Sequence, residues 1–190
     1  PQQIFSKGQV AAGLTPPLGI AYLASFLIGN DYPVQIIDAL GEDPHEINSF
    51  QKGSFLRGLS VSEVVNRIDS DTDLVGISNL FSFAYPAVEV LCKEIKKVYP
   101  EKKIVLGGPH PSALYDEILK NVPEVDYIAI GEGEESLLGL VNYLDGKLEL
   151  HELSGLATRD DSGEVIVLKS SKRIKNLNQD NIPFPARHLL

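Results

Sequence analysis

The 190-residue sequence has one cysteine, no tryptophan and no methionine. A single thiol, Cys92, cannot build an internal disulfide, a structural zinc site or an iron–sulfur cluster site by itself. It falls inside a helical pattern and reads as a small buried apolar residue. So little cysteine fits a reducing, cytoplasmic compartment. Methionine is missing even at position 1, so the expectation is a fragment or a chain without its natural start. Basic residues are also scarce: 17 Lys and Arg against 26 Asp and Glu give a net charge of −9. No Lys/Arg cluster interleaves with aromatics, which argues against a nucleic-acid partner. The longest apolar stretch, residues 18–28, contains Gly19, Tyr22 and Ser25 and is too short to span a bilayer. No basic start followed by an apolar middle opens the chain, so no signal peptide is read.

What is present is a core. Hydrophobic residues make up 43% of the chain, enough for one domain with or without an appendage. Short apolar runs alternate with helical periodicity. Val34-Gln35-Ile36-Ile37, Leu74-Val75-Gly76-Ile77-Ser78, Ile104-Val105-Leu106 and Tyr127-Ile128-Ala129-Ile130 read as strands. Between them, residues 16–29 predict a helix with Leu18, Tyr22 and Phe26 on one face. Residues 84–98 predict another, with Val88, Leu91, Ile95 and Val98 inward. A third starts at Ser112, with Leu114, Ile118 and Val122 aligned, and a fourth covers 134–144, with Leu137, Val141 and Leu144 inward. This alternation predicts an α/β fold, a doubly wound parallel sheet covered on both faces.

Residues 41–60 read as a long irregular connection with room for one short helix. No good strand precedes the first helix, so a strand upstream of Pro1 is expected to fill the sheet's centre. Residues 155–158 and 164–168 flank an Asp/Gly-rich turn and predict a β-hairpin. The expected organisation is a main domain over 1–150, a hairpin appendage over 151–173 and an extended linker over 174–190.

Ligands of such sheets bind at the carboxyl ends of the strands. Here those ends are Asp38-Ala39, Ser78-Asn79-Leu80, Gly107-Gly108 and Gly131-Glu132-Gly133. The double glycine permits either a tight turn or the close approach of a ligand or another strand. Ser78 needs a hydrogen-bond partner, which a polar ligand or a neighbouring backbone group would supply. His110, between Pro109 and Pro111, sits at the mouth of the predicted crevice as a candidate ligand contact. Glu134 and Glu135 suit a helix N-terminus on dipole grounds alone; Glu132, in the turn, either does the same or faces the crevice. No GxGxxG or GxxxxGK[ST] follows a strand. Asp43-Pro44-His45-Glu46-Ile47-Asn48 matches the start of an Asp-x-His-x-x-Gly motif but ends in Asn, and a surface loop is the simpler reading. His151 and His188 read as surface residues.

Ser78-x-Leu80, then the 26 residues 81–106, then Gly107-Gly108 resembles the second and third signatures of cobalamin-binding domains. Four further stretches extend the likeness over nearly the whole chain: residues 16–24, Gly107-Gly108-Pro109-His110, Gly131-Glu132-Gly133-Glu134 and Pro183-Phe184-Pro185-Ala186-Arg187. Together they resemble the amino-terminal domain of cobalamin-dependent radical S-adenosylmethionine enzymes. The resemblance implies a flavodoxin-like (Rossmann-like) fold with strand order 2-1-3-4-5 and the corrin over the strand ends. It implies that Ser78 and Leu80 line the pocket for the nucleotide tail, with Gly107 and Gly108 letting the backbone approach it. Leu18, Phe81, Ser82, His110 and Glu132 would lie near the ring, and Asn79, Pro109, Gly131 and Gly133 belong to the same strand-end loops. The departure from Asp-x-His-x-x-Gly implies base-off cobalamin with no histidine ligand.

The expected function is therefore a cofactor domain that carries a methyl group for a downstream domain. That domain would hold S-adenosylmethionine and a [4Fe-4S] cluster, because this chain has no CxxxCxxC motif. This chain alone should not catalyse; its parent would be a methyltransferase or a ring-forming cyclase. The alternative is a non-catalytic interaction or sensing module of the same fold with an empty crevice.

Overall fold

The computed structural model describes residues 3–6, 14–51, 53–169 and 183–190. In chain order the elements are β1 (Gln3–Ser6), α1 (Leu18–Ile28), β2 (Ile47–Ser49), β3 (Ser54–Arg57), α2 (Val61–Asn66), β4 (Leu74–Ser78), α3 (Tyr85–Val98), β5 (Lys103–Gly107), α4 (Pro109–Ala113), α5 (Tyr115–Asn121), β6 (Tyr127–Ala129), α6 (Glu134–Leu144), β7 (Leu156–Arg159) and β8 (Val165–Leu168). The main sheet runs β4-β5-β6-β7-β8. Its first three strands are parallel, with Ser78 level with Gly107 and Leu106 level with Ile128. The hairpin β7–β8 then adds two antiparallel strands, Ala129 facing Leu156.

Strand alternation splits the core into two faces. Ile104, Leu106 and Ile128 point to one side, where Val88, Cys92 and Ile95 of α3 and Ile118 and Leu119 of α5 cover them. Val105, Tyr127 and Ala129 point to the other, against Leu140 of α6 and Leu153. Burial drives the Cys92 thiol up to about 12, so it is an inert core group, as its position in the helical pattern implied.

Helix ends follow their chemistry. Ser60 and Glu63 form a capping box on α2. α6 opens on Glu134 and Glu135, and α3 closes on Lys96 and Lys97, each matching the helix dipole. Lys102 is buried, yet its ammonium is satisfied by donating to the carbonyls of Asp69, Ser70 and Thr72.

Several expectations are corrected. Residues 34–37 form no strand; of the order 2-1-3-4-5, the described residues show the last three positions, as β4-β5-β6. Ile37 packs on the core, but the segment has no ladder partner among the described residues, and a strand exists only as a pair. Residues 41–60 are not irregular: β3 pairs antiparallel with both β1 and β2 in a separate three-stranded sheet. The hairpin continues the main sheet through β6.

Helix faces also differ. α1 buries Ala21, Ala24, Ser25 and Leu27 and exposes Leu18 and Tyr22, because its small residues allow close packing on α6 and the C-terminal turn. Val98 is exposed at the end of α3, and Leu140, not Leu137 or Val141, is the fully buried residue of α6. The helix expected from Ser112 breaks at Leu114 into α4 and α5. Of the expected linker, residues 174–182 lie outside the described residues. Residues 183–190 dock on α1, where the Ala186 amide donates to the Ala21 carbonyl at 2.9 Å.

Candidate functional site

At the carboxyl ends of β4, β5 and β6 the sheet runs out of side chains. In parallel strands, level residues share a face. Ser78 is level with Gly107, and Gly76 with Val105. A Cβ placed on Gly107 would lie 3.9 Å from the Ala129 Cβ, and one on Gly76 would lie 3.8 Å from Val105 Cγ1. Gly76, Ser78, Gly107 and Ala129 thus form a shallow trough that any larger side chain would fill.

The two glycines differ in role. Gly107 needs no special backbone conformation and leaves space. Gly108 has φ +103°, and a Cβ there would sit 2.6 Å from the Asn79 carbonyl oxygen. It is glycine because the turn is left-handed and the end of β4 comes close. The Asn79 amide donates to the Gly107 carbonyl at 2.8 Å and locks this approach.

Beyond β4 the chain turns outward. Leu80, Phe81 and Phe83 are 51%, 58% and 59% exposed, and the Phe81 and Phe83 rings stack at 5.4 Å. Exposed apolar side chains grouped at a strand end make this loop a candidate interaction site. Leu18 and Tyr22, on the outward face of α1, are also exposed. Beneath the loop, Asn79 is fully buried: its Nδ2 donates to the Phe81 carbonyl at 3.3 Å, while its Oδ1 has no partner among the described residues.

His110 is buried rather than open at the crevice mouth. Its Nδ1 lies 2.9 Å from Ser82 Oγ, its ring packs at 4.6 Å on Tyr85, and its buried Nε2 has no partner among the described residues. Burial holds the imidazole below its ordinary pKa, against the opposing pull of Glu117. Pro109, one residue before it, is exposed at the start of α4.

After β6, Gly131 turns at φ +84° in open space, and Glu132 is exposed. Gly133 serves packing: a Cβ there would meet Leu23 Cδ2 of α1 at 2.9 Å. His45 is exposed on the turn leading into β2. The structure thus brings Ser78, Asn79, Leu80, Phe81, Ser82, Gly107, Gly108 and His110 together by bonds or register, and ties Gly133 to α1. Gly76, Phe83 and Tyr85 join the site without having been singled out. An isolated glycine inside a buried strand was the available signal for Gly76.

A family model described as the B12 binding domain matches residues 8–141. The chain belongs to the B12-binding domain family. This B12-binding chain is 32% identical over 199 residues to cytidylyl-2-hydroxyethylphosphonate methyltransferase of Streptomyces wedmorensis, covering 92% of the chain and 36% of that protein. It is 30% identical over 178 residues to anaerobic magnesium-protoporphyrin IX monomethyl ester cyclase of Rubrivivax gelatinosus, covering 92% and 29%. Its fold is similar to that of OxsB, a cobalamin-dependent S-adenosylmethionine radical enzyme solved with aqua-cobalamin and S-adenosylmethionine bound. The TM-score is 0.67 at 23% identity, over 90% of this chain and 21% of that one. It is also similar to TsrM, a radical S-adenosylmethionine methyltransferase of Kitasatospora setae, with TM-score 0.61 at 16% identity over 82% and 28%. These solved structures bear out the fold class.

The expected resemblance to cobalamin-dependent radical enzymes holds, and so does the B12 cofactor class. The chain spans about a third of the length of the curated relatives it matches. Among the described residues, no helix is long and apolar enough to cross a membrane. The trough, the exposed aromatic pair and the buried unpartnered Asn79 Oδ1 fit a flat macrocycle with a polar tail.

Proposed function

We propose that this B12-binding chain holds cobalamin, base-off and without a histidine ligand, as the methyl carrier for an iron–sulfur catalytic domain downstream in the same protein. The observation that carries this reading is the trough of Gly76, Ser78, Gly107 and Ala129 beside the exposed Phe81–Phe83 pair, in a chain of the B12-binding family. The nucleotide tail lies in the trough, where Ser78 offers a hydroxyl and Gly107 offers space. Leu18, Leu80, Phe81 and Glu132 meet the ring, with Asn79, Pro109, Gly131 and Gly133 shaping the loops that carry them.

Two observations support the absence of a histidine ligand. His110 is buried with Nδ1 engaged by Ser82, and His45 belongs to a motif that ends in Asn48 where the ligand motif has glycine. When bound, the cofactor supplies a cobalt that accepts a methyl group and passes it on. The chain's own residues bind and orient it: the trough fixes the tail, and the apolar loop keeps water off the ring it contacts. S-adenosylmethionine and the cluster belong to the catalytic domain. The relatives support a methyltransferase or a ring-forming cyclase as the parent; the single cysteine supports a reducing, cytoplasmic compartment. The organisation proposed with this function is a cofactor domain over 1–150, a hairpin appendage over 151–173 and a linker over 174–190.

The test is a titration of the protein with hydroxocobalamin, followed by visible absorbance. The expected result is a saturable change to a base-off spectrum without imidazole ligation. A histidine-ligated spectrum would return His45 and His110 as ligands. No binding by folded protein would favour the empty interaction module.

A further inference from the structure

Ser82 and His110 are an unequal pair. Ser82 is exposed, at the start of the short 3-10 turn Ser82–Ala84, between the two stacked phenylalanines. His110 is buried on α4, flanked by Pro109 and by the buried Pro111, and its ring is held against Tyr85 of α3. A fixed buried group therefore grips an exposed hydroxyl at 2.9 Å. The buried Asn79 amide grips the Phe81 carbonyl one residue earlier. Residues 80–83 belong to no strand or α-helix; beside the 3-10 bond from the Ala84 amide to the Phe81 carbonyl, these two side chains are the polar anchors under the loop among the described residues.

We infer that His110 is a positioning residue: through Ser82 it holds residues 80–83 in the shape that presents the Phe81–Phe83 pair to the cofactor. It does not touch the cofactor itself, since its Nε2 is enclosed and its Nδ1 is engaged. This rests on the cobalamin reading above. The hydrogen bond and the ring contact do separate work. The bond fixes the loop, and the contact with Tyr85 fixes the bond's inner end. Removing Ser82 Oγ should therefore free the loop while leaving the core intact.

The experiment uses the protein as wild type, Ser82→Ala, His110→Ala, His110→Asn and the Ser82→Ala/His110→Ala pair. Amide hydrogen exchange is read at residues 80–84 without cofactor, and hydroxocobalamin affinity is read separately. Ser82→Ala should speed exchange at 80–84 about tenfold and weaken cobalamin about tenfold, the effect of one lost hydrogen bond. The double variant should be no worse than His110→Ala. His110→Asn, whose amide can take the place of Nδ1, should recover part of both. Unchanged exchange at 80–84 in Ser82→Ala, or effects of the two single variants that simply add, would overturn the latch. The exposed Ser82 keeps the test sharp even where His110→Ala fails to fold. If exchange responds but wild type binds no cobalamin, the latch stands and the cofactor reading fails. Tight cobalamin binding without the exchange response sinks the latch alone.

Discussion

β4 and β5 are neighbours of equal length, parallel and in register over five residues, yet they face different environments. In β5, Ile104, Val105 and Leu106 are 0%, 3% and 0% exposed, covered by helices on both faces. In β4 no residue is fully buried and Gly76 is exposed. β4 is the edge of the sheet among the described residues, with β5 as its one strand neighbour. The contrast separates two jobs that share one sheet. β5 is the packing spine. The face of β4, with the glycine end of β5, offers space and polar groups where packing would normally put side chains.

The largest expected effect breaks the spine. Leu106→Ala should cost about 2–5 kcal/mol, a fully buried leucine lost with its cavity, while Ile77→Ala on half-buried β4 should cost clearly less. Urea midpoints of the two variants check this, and equal losses would erase the distinction. Next comes the hinge between the strands. Gly108→Ala should destabilise by about 1–3 kcal/mol, because only glycine adopts that backbone freely, and the 2.6 Å approach to the Asn79 carbonyl adds to it. The same urea measurement on Gly107→Ala, where the nearest contact is an ordinary 3.9 Å, should show a far smaller loss.

The smallest effect is pH dependence. Burial lowers the His110 pKa in the fold; Tyr85 packs on its ring, and Glu117 is the charged group acting on it. The unfolded chain therefore takes up a proton, near the ordinary value of about 6.5, that the fold resists. Stability from this group is present above that pH and is lost as pH falls towards the lowered folded value. His110→Asn should remove this part of the slope between urea midpoints at neutral and mildly acidic pH. An unchanged slope would mean that other groups carry it.

Much of the spine was legible in the sequence. The short apolar runs at β4, β5 and β6 and the helix over 134–144 follow from periodicity and from the glycines that bound them. What failed did so for physical reasons. Residues 34–37 have strand composition, but composition cannot supply a neighbour. β2 and β3 are short and partly polar, and their pairing with β1 is set by distant contacts. On α1, periodicity favours the large residues Leu18 and Tyr22 as the core face. The fold instead buries Ala21, Ala24 and Ser25, whose small size lets α6 approach, and so leaves the large ones outward. The same limit applied at the site. Sequence put His110 at the crevice mouth, and only coordinates could turn its ring inward to Ser82. The double glycine marked a place of close approach, but not that Gly108 meets the chain itself while Gly107 leaves room for something else.

That division gives the most direct test. Gly107→Leu should fold, since Gly107 has an ordinary backbone and a Cβ there meets the Ala129 Cβ at an ordinary 3.9 Å, but its side chain would lie where the cofactor's tail is proposed to pass. Hydroxocobalamin affinity should be measured side by side on wild type and Gly107→Leu, with matched urea midpoints as the folding control. The account predicts saturable binding by wild type and a loss of at least about tenfold in the variant, the equivalent of about 1.4 kcal/mol. Equal affinity in two folded proteins would contradict the trough as the cofactor's seat.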